Sequence, residues 1–525
     1  MESELKHSMR HLKMEDSPAL YFLLYRLTIS QDYRVQCLYG DVSWKSQSDN
    51  QTIFVEARVG DYNFDNSWEG FSSGVKWEGG SLSLATAPIA FVLWHNTDDA
   101  YKNAVRKYNE KRAALAQEME EEKLPDFSRE KPSRADVLGA GAPQPDIKHL
   151  KRLCVVSSAQ FKKYPEVKSG YTYFSFKSET RLLVTSEGTR LIQEGTYNPI
   201  FFYIHGEARA SDGLMVDSFR SGHARHETTL PSEDQLAGLV QEVAHEVAGL
   251  KLASLEIPQV APAILDGEST GVFFHEALGH RLEGLRQRER GELQTFKDKV
   301  GQRVIPAFLS VRSNPALNEF NESTLNGHYL FDSEGVAAQN VALVNNGILK
   351  NYLMSRRPIK GFARSNGNGR SNAGSLAEGR MSVLIIETGK SLGVGELKEE
   401  LLKEIKKRKK PFGFRLIAMR SGEAQTGRGS SQSFISRPRL IYRVAPDGTE
   451  TLVRGLEYVG TPLIAIEKIT AAGNDPTVSN AYCGSTSGFI PVTEIAPSVL
   501  ISEIELQRQS EDRFRPPILK SPIFR

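Results

Sequence analysis

The stretch Gly271-Val-Phe-Phe-His275-Glu276-Ala-Leu-Gly279-His280-Arg-Leu-Glu283-Gly284 constrains this chain more than any other. It sets a glutamate directly after the first of two histidines. Two neutral imidazoles can hold a Zn²⁺-like ion, and a carboxylate beside them can take a proton from a water on that ion; this is the machinery of metal-assisted hydrolysis. On a regular helix, histidines four apart, as in HExxH, differ by about 40° in direction, but five apart they differ by about 140°. An unbroken helix cannot aim both at one ion. The spacing therefore predicts a helix that is bulged by i to i+5 bonding or kinked, with Gly279 supplying the backbone freedom. Ser269 or Thr270 is the expected N-cap.

A catalytic zinc site has three protein ligands and one open position, so a third donor is required. Glu283, three residues after His280, is one candidate, and a cysteine is the other. Cys37 and Cys154 lie in apolar surroundings and read as buried structural thiols. Cys483 lies in a small-residue loop, Asn480-Ala-Tyr-Cys-Gly-Ser-Thr-Ser-Gly488, which can bring a thiolate up to a metal. The second His-Glu pair, His245-Glu246, has no histidine after it and reads as helix surface. His223 and His226 read as surface residues as well.

Gly271 to Gly284, taken with Asn474-Asp475 and with Cys483-Gly484 ahead of Pro491-Val492, resembles the TldD/PmbA family of zinc metallopeptidases, also described as modulators of DNA gyrase. Val55-Glu-Ala-Arg-Val-Gly-Asp-Tyr62 followed by Asp65-Asn66, then Glu334-Gly335, Asn346-Gly-Ile-Leu349 and Gly367-Asn-Gly-Arg370, continue the likeness in family order. The resemblance implies zinc held by His275, His280 and Cys483, with Glu276 as general base. It also implies short or unfolded peptides as substrates in an enclosed cavity, and a homodimer or a heterodimer with a PmbA-type paralogue. Some subunits of the family lack the HExxxH residues; this chain keeps them and so resembles the active, TldD-like type. It departs in Ser485-Thr-Ser487, where many members carry a charge, and in the Ser/Arg-rich stretch from Arg420 to Arg439; both departures bear on substrate preference. The expected function is that of a zinc-dependent peptidase. The alternative is a non-catalytic peptide-binding or maturation subunit with a structural metal, and the retained Glu276 argues against it, because such a site needs ligands and no base.

A length of 525 residues predicts two domains. The expected fold is α+β: an N-terminal α/β domain over 1–256 with an antiparallel sheet and long helices, then a β-rich, open barrel-like catalytic domain over 257–525 with the metal helix at the junction. With 66 basic and 64 acidic residues the net charge is +2, so no global field draws the chain to nucleic acid or to an anionic membrane. Three cysteines far apart form no disulfide framework. The first ten residues are charged, and Ala19 to Leu24 is too short to span a bilayer, which makes the cytoplasm the default location.

Along the chain, residues 17–67 read as a β-meander with a turn at Ser48-Asp-Asn50, broken by a Gly- and Ser-rich stretch from Trp68 to Gly80. A helix is expected from Thr97, with Tyr101, Val105, Tyr108, Leu115 and Met119 on one stripe. Leu124 to Pro145 reads as an extended connector and Asp146 to Lys163 as a helix. Strands are expected over 171–176, 181–184 and 199–205, and Ser232-Glu-Asp-Gln235 opens a helix as a capping box. Arg286 to Arg303 is charged and reads as solvated. Asn345-Asn-Gly347 and Asp447-Gly448 mark hairpins. Leu397, Leu401 and Ile405 mark a helix whose basic end, Lys406 to Lys410, suits the helix dipole better than a nucleic acid. Gly367 to Arg370 reads as a flexible loop near the active site.

Overall fold

The computed structural model describes the chain apart from residues 69–73, 81, 117–123, 139–144, 196–199, 425–426, 428–433, 511–513, 515–518, 520 and 525. It is α+β, as expected, and strand-rich. The meander expected over 17–67 is one long hairpin, Leu20–Leu38 against Asp41–Val59. Its turn falls at Tyr39 and Gly40, which adopt φ of 47° and 91°, and not at Ser48-Asp-Asn50, which lies within the second strand. Two-residue hairpin turns of type I′ take positive φ at both positions, and this turn sets the register of the long pair. Val75–Gly80 adds an edge strand inside the stretch read as a break.

The first strand also pairs with Ser169–Thr185, a single strand covering two expected ones. Leu23, Tyr25, Leu27, Tyr33 and Val35 all point to one face of the sheet, because side chains alternate along a strand. The helix Thr86–Leu115 covers the first three of them, and the helices Ile147–Ala159 and Glu233–Leu252 cover the last two. The first of these helices begins eleven residues before Thr97, its expected start (97 − 86); Met119 lies outside the described residues. The capping box at Ser232 and Gln235 forms as expected. The expected connector over 124–145 contains a strand, Arg134–Val137, parallel to Arg190–Glu194; residues 139–144 lie outside the described part.

On the opposite face, Phe22 and Leu24 pack with Phe127, Leu183 and Leu191 against Phe331 and Leu376 of the second half of the chain. Arg26, on the same face, is 2% exposed. Its guanidinium donates to the carbonyls of Ser333, Asn372, Ala373 and Ser375 and to the Ser371 hydroxyl. Gly367 to Arg370, expected to be a flexible loop, lies beside this buried anchor; Asn368 and Arg370 are themselves buried, and Gly369–Arg370 pairs with Glu378–Gly379.

In the second half, Gln259–Leu265, Gly413–Ala424, Phe434–Val444, Leu456–Gly460 and Val499–Arg508 pair in that order and close back on the first strand. The expected open barrel is thus a closed five-stranded one, with one parallel pair, Gln259–Leu265 beside Gly413–Ala424. Closure leaves this sheet with no open edge along the ring. The helix Val394–Lys407 covers it through Leu397, Leu401 and Ile405. A separate six-stranded sheet ends in the hairpin of Gly488–Ala496 and Thr477–Ser485, the latter as edge strand. The helix Gly267–Ala277 packs between the barrel and this hairpin. Among the described residues no helix is long and apolar enough to cross a membrane.

Candidate metal centre

Asp266, rather than Ser269 or Thr270, caps the motif helix: its carboxylate accepts from the Ser269 N–H at 2.8 Å. It also accepts from the backbone of Ala418, which ties the helix start to a barrel strand. The helix ends at Ala277, and Leu278 caps it at φ −117°, ψ −48°, its N–H still bonded to the Phe274 carbonyl. Gly279–Leu282 then forms a 3₁₀ turn. Of the two expected distortions, a widening to i to i+5 bonding or a kink, the widening does not form; the helix ends and a tighter turn follows. Nη1 of Arg281 donates to the carbonyls of Glu276 and Ala277, placing a cation on the buried C-terminal end of the helix. Gly279 is required by packing, since a Cβ there would stand 2.0 Å from Sδ of Met381.

The break brings the two imidazoles together, with ring centroids 5.0 Å apart and planes at 85°. Cys483 enters from the edge hairpin. Its Sγ lies 3.2 Å from Nε2 of His275 and 3.6 Å from Nε2 of His280. The donor atoms of these three buried residues all fall within 4.8 Å of one another. Behind each imidazole stands a carboxylate: Nδ1 of His275 is 2.6 Å from Oε1 of Glu494, and Nδ1 of His280 is 3.0 Å from Oε1 of Glu283. Such partners leave Nε2 as the forward, ligating atom. Two imidazoles and a thiolate with their rear nitrogens engaged are a donor set that fits zinc.

Glu283, the other candidate third donor, thus lies on the far side of the His280 ring. Arg286 holds its second oxygen at 2.5 Å, and Arg380 stands 3.4 Å from the first. Arg380, fully buried, also donates to the Cys483 carbonyl at 3.0 Å and to the Ser487 hydroxyl at 2.6 Å. One guanidinium therefore joins the hairpin of Cys483 to the carboxylate behind His280. The segment from Arg286, read as solvated, is partly built in: Arg286 bridges Glu283 and Glu292, and Phe296 is buried.

Glu276 is nearly buried, with Oε2 3.8 Å from Nε2 of His280. Among the described residues its carboxylate makes no hydrogen bond. The charges of the centre reinforce one another. Burial opposes charge on Cys483, but His275 and His280 hold the thiol down at about 4. Burial likewise opposes a charged His280, while Glu283 and Cys483 push it up to about 9. His275 is raised well above its ordinary value by Cys483 and Glu494 against the same burial. Burial pushes Glu494 up, with His275 working the other way.

The remaining sequence candidates lie elsewhere. His245 is exposed on its helix, as expected. Glu246 binds Arg220 and Arg439 and so links the N-terminal sheet to the barrel. Cys37 and Cys154 are buried free thiols, as expected. His226 is exposed, and His223 is half-buried: it packs on Phe201 with centroids 4.9 Å apart, and burial of its ring holds it down at about 4. The sequence reading missed Glu494, Arg380 and Arg281. The usable signal was their charge inside apolar or glycine-rich strings, as in Ile490-Pro-Val-Thr-Glu-Ile495.

Residues 258–508 match the family model of the PmbA/TldA metallopeptidase C-terminal domain. A metalloprotease of Methanocaldococcus jannaschii is 29% identical over 62% of this chain and 67% of its own length. A protein of Saccharolobus solfataricus named as a zinc metalloprotease TldD homolog is 24% identical over 52% of this chain and 56% of its own length. TldE from Thermococcus kodakarensis shares the fold, with a TM-score of 0.63 at 15% identity over 97% of this chain and 99% of that one. With the family domain over residues 258–508 and curated relatives of the same kind, the second half of this chain belongs to the TldD/PmbA family, and along its whole length the chain has the fold of TldE.

Proposed function

We propose that the chain is a zinc-dependent peptidase acting on short or unfolded peptides, with His275, His280 and Cys483 as metal ligands and Glu276 as general base. The observation that carries this reading is the convergence of three donor atoms within 4.8 Å beside a carboxylate that, among the described residues, no side chain engages by hydrogen bond. A purely structural metal would leave Glu276 without a task at a cost in burial. Zinc held there supplies Lewis acidity toward a peptide carbonyl and acidifies a water. Glu276 accepts the proton of the attacking water and returns it to the leaving amine. Glu494 and Glu283 keep the two Nε2 atoms facing forward, and Arg380 keeps Cys483 in line with them.

Zinc is favoured over harder divalent ions by the thiolate and imidazole donors, and the name of the Saccharolobus relative supports it. A catalytic domain starting near residue 257 is supported by the family match over 258–508. Assembly with a second copy or with a PmbA-type paralogue is part of the same reading, supported by the likeness to TldE.

The deciding experiment compares the wild type with Glu276→Gln, measuring zinc content together with hydrolysis of an unstructured peptide mixture by mass spectrometry. Equal zinc in both proteins, with turnover in the variant reduced on the order of 10²- to 10⁴-fold, is the expected result. Unimpaired cleavage by the variant would remove Glu276 from its role.

A further inference from the structure

A cavity of about 2210 Å³ opens where the end of the helix Thr86–Leu115 faces residues 287–300 and 352–362. Among the described residues its walls carry seven basic side chains and four acidic ones. The acids are already engaged. Asp126 is shared by Lys111 and by Arg288, Glu292 is held by Arg286, and Asp298 lies 3.5 Å from Lys360. Glu289 reaches Arg357 only at 3.4 Å, through Nη1. The Arg357 side chain is 14% exposed, and its Nε meets no hydrogen-bond partner among the described residues. Arg112 and Lys297, both exposed, have no ion pair among the described residues.

The cavity shares a wall with the metal centre. Gln287 lines it and donates through Nε2 to the carbonyls of Arg281 and Glu283, which bracket the turn after His280. Arg357 also acts electrostatically on Glu378, whose carboxylate accepts the hydroxyl of Thr486, three residues beyond Cys483 (486 − 483). A guanidinium taken largely out of water, with its Nε unpaired among the described residues, is costly unless an anion meets its accessible nitrogens, and carboxylates pair with guanidinium in matching geometry. A space of this size greatly exceeds what one small anion fills and suits a length of chain.

We propose that this cavity binds the acidic part of a peptide, with Arg357 as the inner carboxylate partner and Arg112 and Lys297 drawing the peptide in. The inference rests on the peptidase reading and adds a preference to it: substrates carrying glutamate or aspartate away from the scissile bond. Trp68 lines the cavity, and its fluorescence reports occupancy.

The test uses zinc-loaded Glu276→Gln protein and two unstructured peptides that differ only in glutamate against glutamine, with Trp68→Phe as the optical control. The glutamate peptide should bind about tenfold more tightly at low salt and lose that advantage at about 1 M salt. Arg112→Glu combined with Lys297→Glu, both at exposed positions, should erase the preference, and Arg357→Gln should weaken it. Equal binding of the two peptides, or a preference unmoved by the double variant, would overturn the proposal. Inorganic phosphate perturbing Trp68 more strongly than the glutamate peptide at equal concentration would overturn the assignment to peptide. If the wild type cleaves neither peptide while the preference persists in the variant, the peptidase reading fails and the cavity assignment stands.

Discussion

Gly422 shows how closely single residues are fitted around the Glu276 carboxylate. A Cβ at this position would stand 2.3 Å from Cγ of Glu276 and 3.0 Å from its Cδ. Gly422→Ala must therefore displace Glu276 or the strand that faces it, while the three ligand atoms keep their own supports. The variant should retain zinc and lose on the order of tenfold or more in turnover, because a misplacement of about 1 Å is expensive in a positioned reaction. Steady-state kinetics beside metal analysis checks this, and a fall in zinc content would show that the glycine serves the metal instead. Glu494→Gln tests the opposite case. The amide keeps the shape but weakens the hold on Nδ1 of His275, so zinc should bind about 10- to 100-fold more weakly in a chelator competition. His275, Glu276 and His280 were legible in the sequence because their chemistry sits in six consecutive residues (275 to 280). Cys483 was legible from its small-residue loop, with the family resemblance choosing it over Glu283. Glu494 was not legible: along a strand a lone glutamate reads as a solvent-facing residue, and only the packing of the motif helix against that hairpin buries it.

Individual elements were legible where local chemistry decides them, and misread where the tertiary environment does. Asn345-Asn-Gly347 forms its hairpin because Asn346 and Gly347 tolerate φ of 47° and 79°. The motif helix was expected to widen or to kink; it does not widen, but stops and continues as a tighter turn. Both solutions satisfy the histidine spacing, and the outcome is set by partners remote in sequence or outside the pattern: Met381 fills the space beside Gly279, and Arg281 satisfies the released carbonyls. His223 is a further case, a histidine read as exposed that the strand Met215–Ala224 places against Phe201. Unfolded, it titrates near its ordinary value of about 6.5; folded, burial holds it down at about 4. The folded protein takes up this proton later on acidification, so the residue imposes no penalty above about pH 6.5 and costs stability progressively as pH falls from there through 4. His223→Phe should leave the melting temperature near pH 7.5 little changed and make its decline toward pH 4.5 shallower than in the wild type. Parallel declines in the two proteins would show that His223 does not contribute to acid sensitivity.

At the scale of the whole molecule, the α+β class and a barrel-like second half could be read from strand spacing, but closure could not. It depends on Ala263 meeting Phe414 on one side and Ile501 on the other, pairings that no local pattern encodes. The relation between the two halves was equally hidden. The string Gly367 to Arg370 looked like a loop of the active site, yet it sits beside the segment that the N-terminal sheet grips through Arg26. That guanidinium meets five acceptors, all supplied by residues 333–375, and stacks over Phe54 at 4.4 Å. The same segment continues through Gly379 to Arg380 and Met381, which touch the Cys483 hairpin and Gly279. The N-terminal sheet thereby braces the metal centre without contributing a ligand. Arg26→Met keeps most of the apolar stem and strands five neutral acceptors in a buried site, which should cost at least about 3 kcal/mol. A urea unfolding midpoint clearly below that of the wild type, with faster proteolytic cleavage near residues 371–375, is the expected outcome. If the two halves are braced in this way, the folded variant should also bind zinc more weakly at urea concentrations well below its midpoint. Zinc affinity that follows only the global unfolding curve would show that Arg26 stabilises the fold without reaching the metal centre.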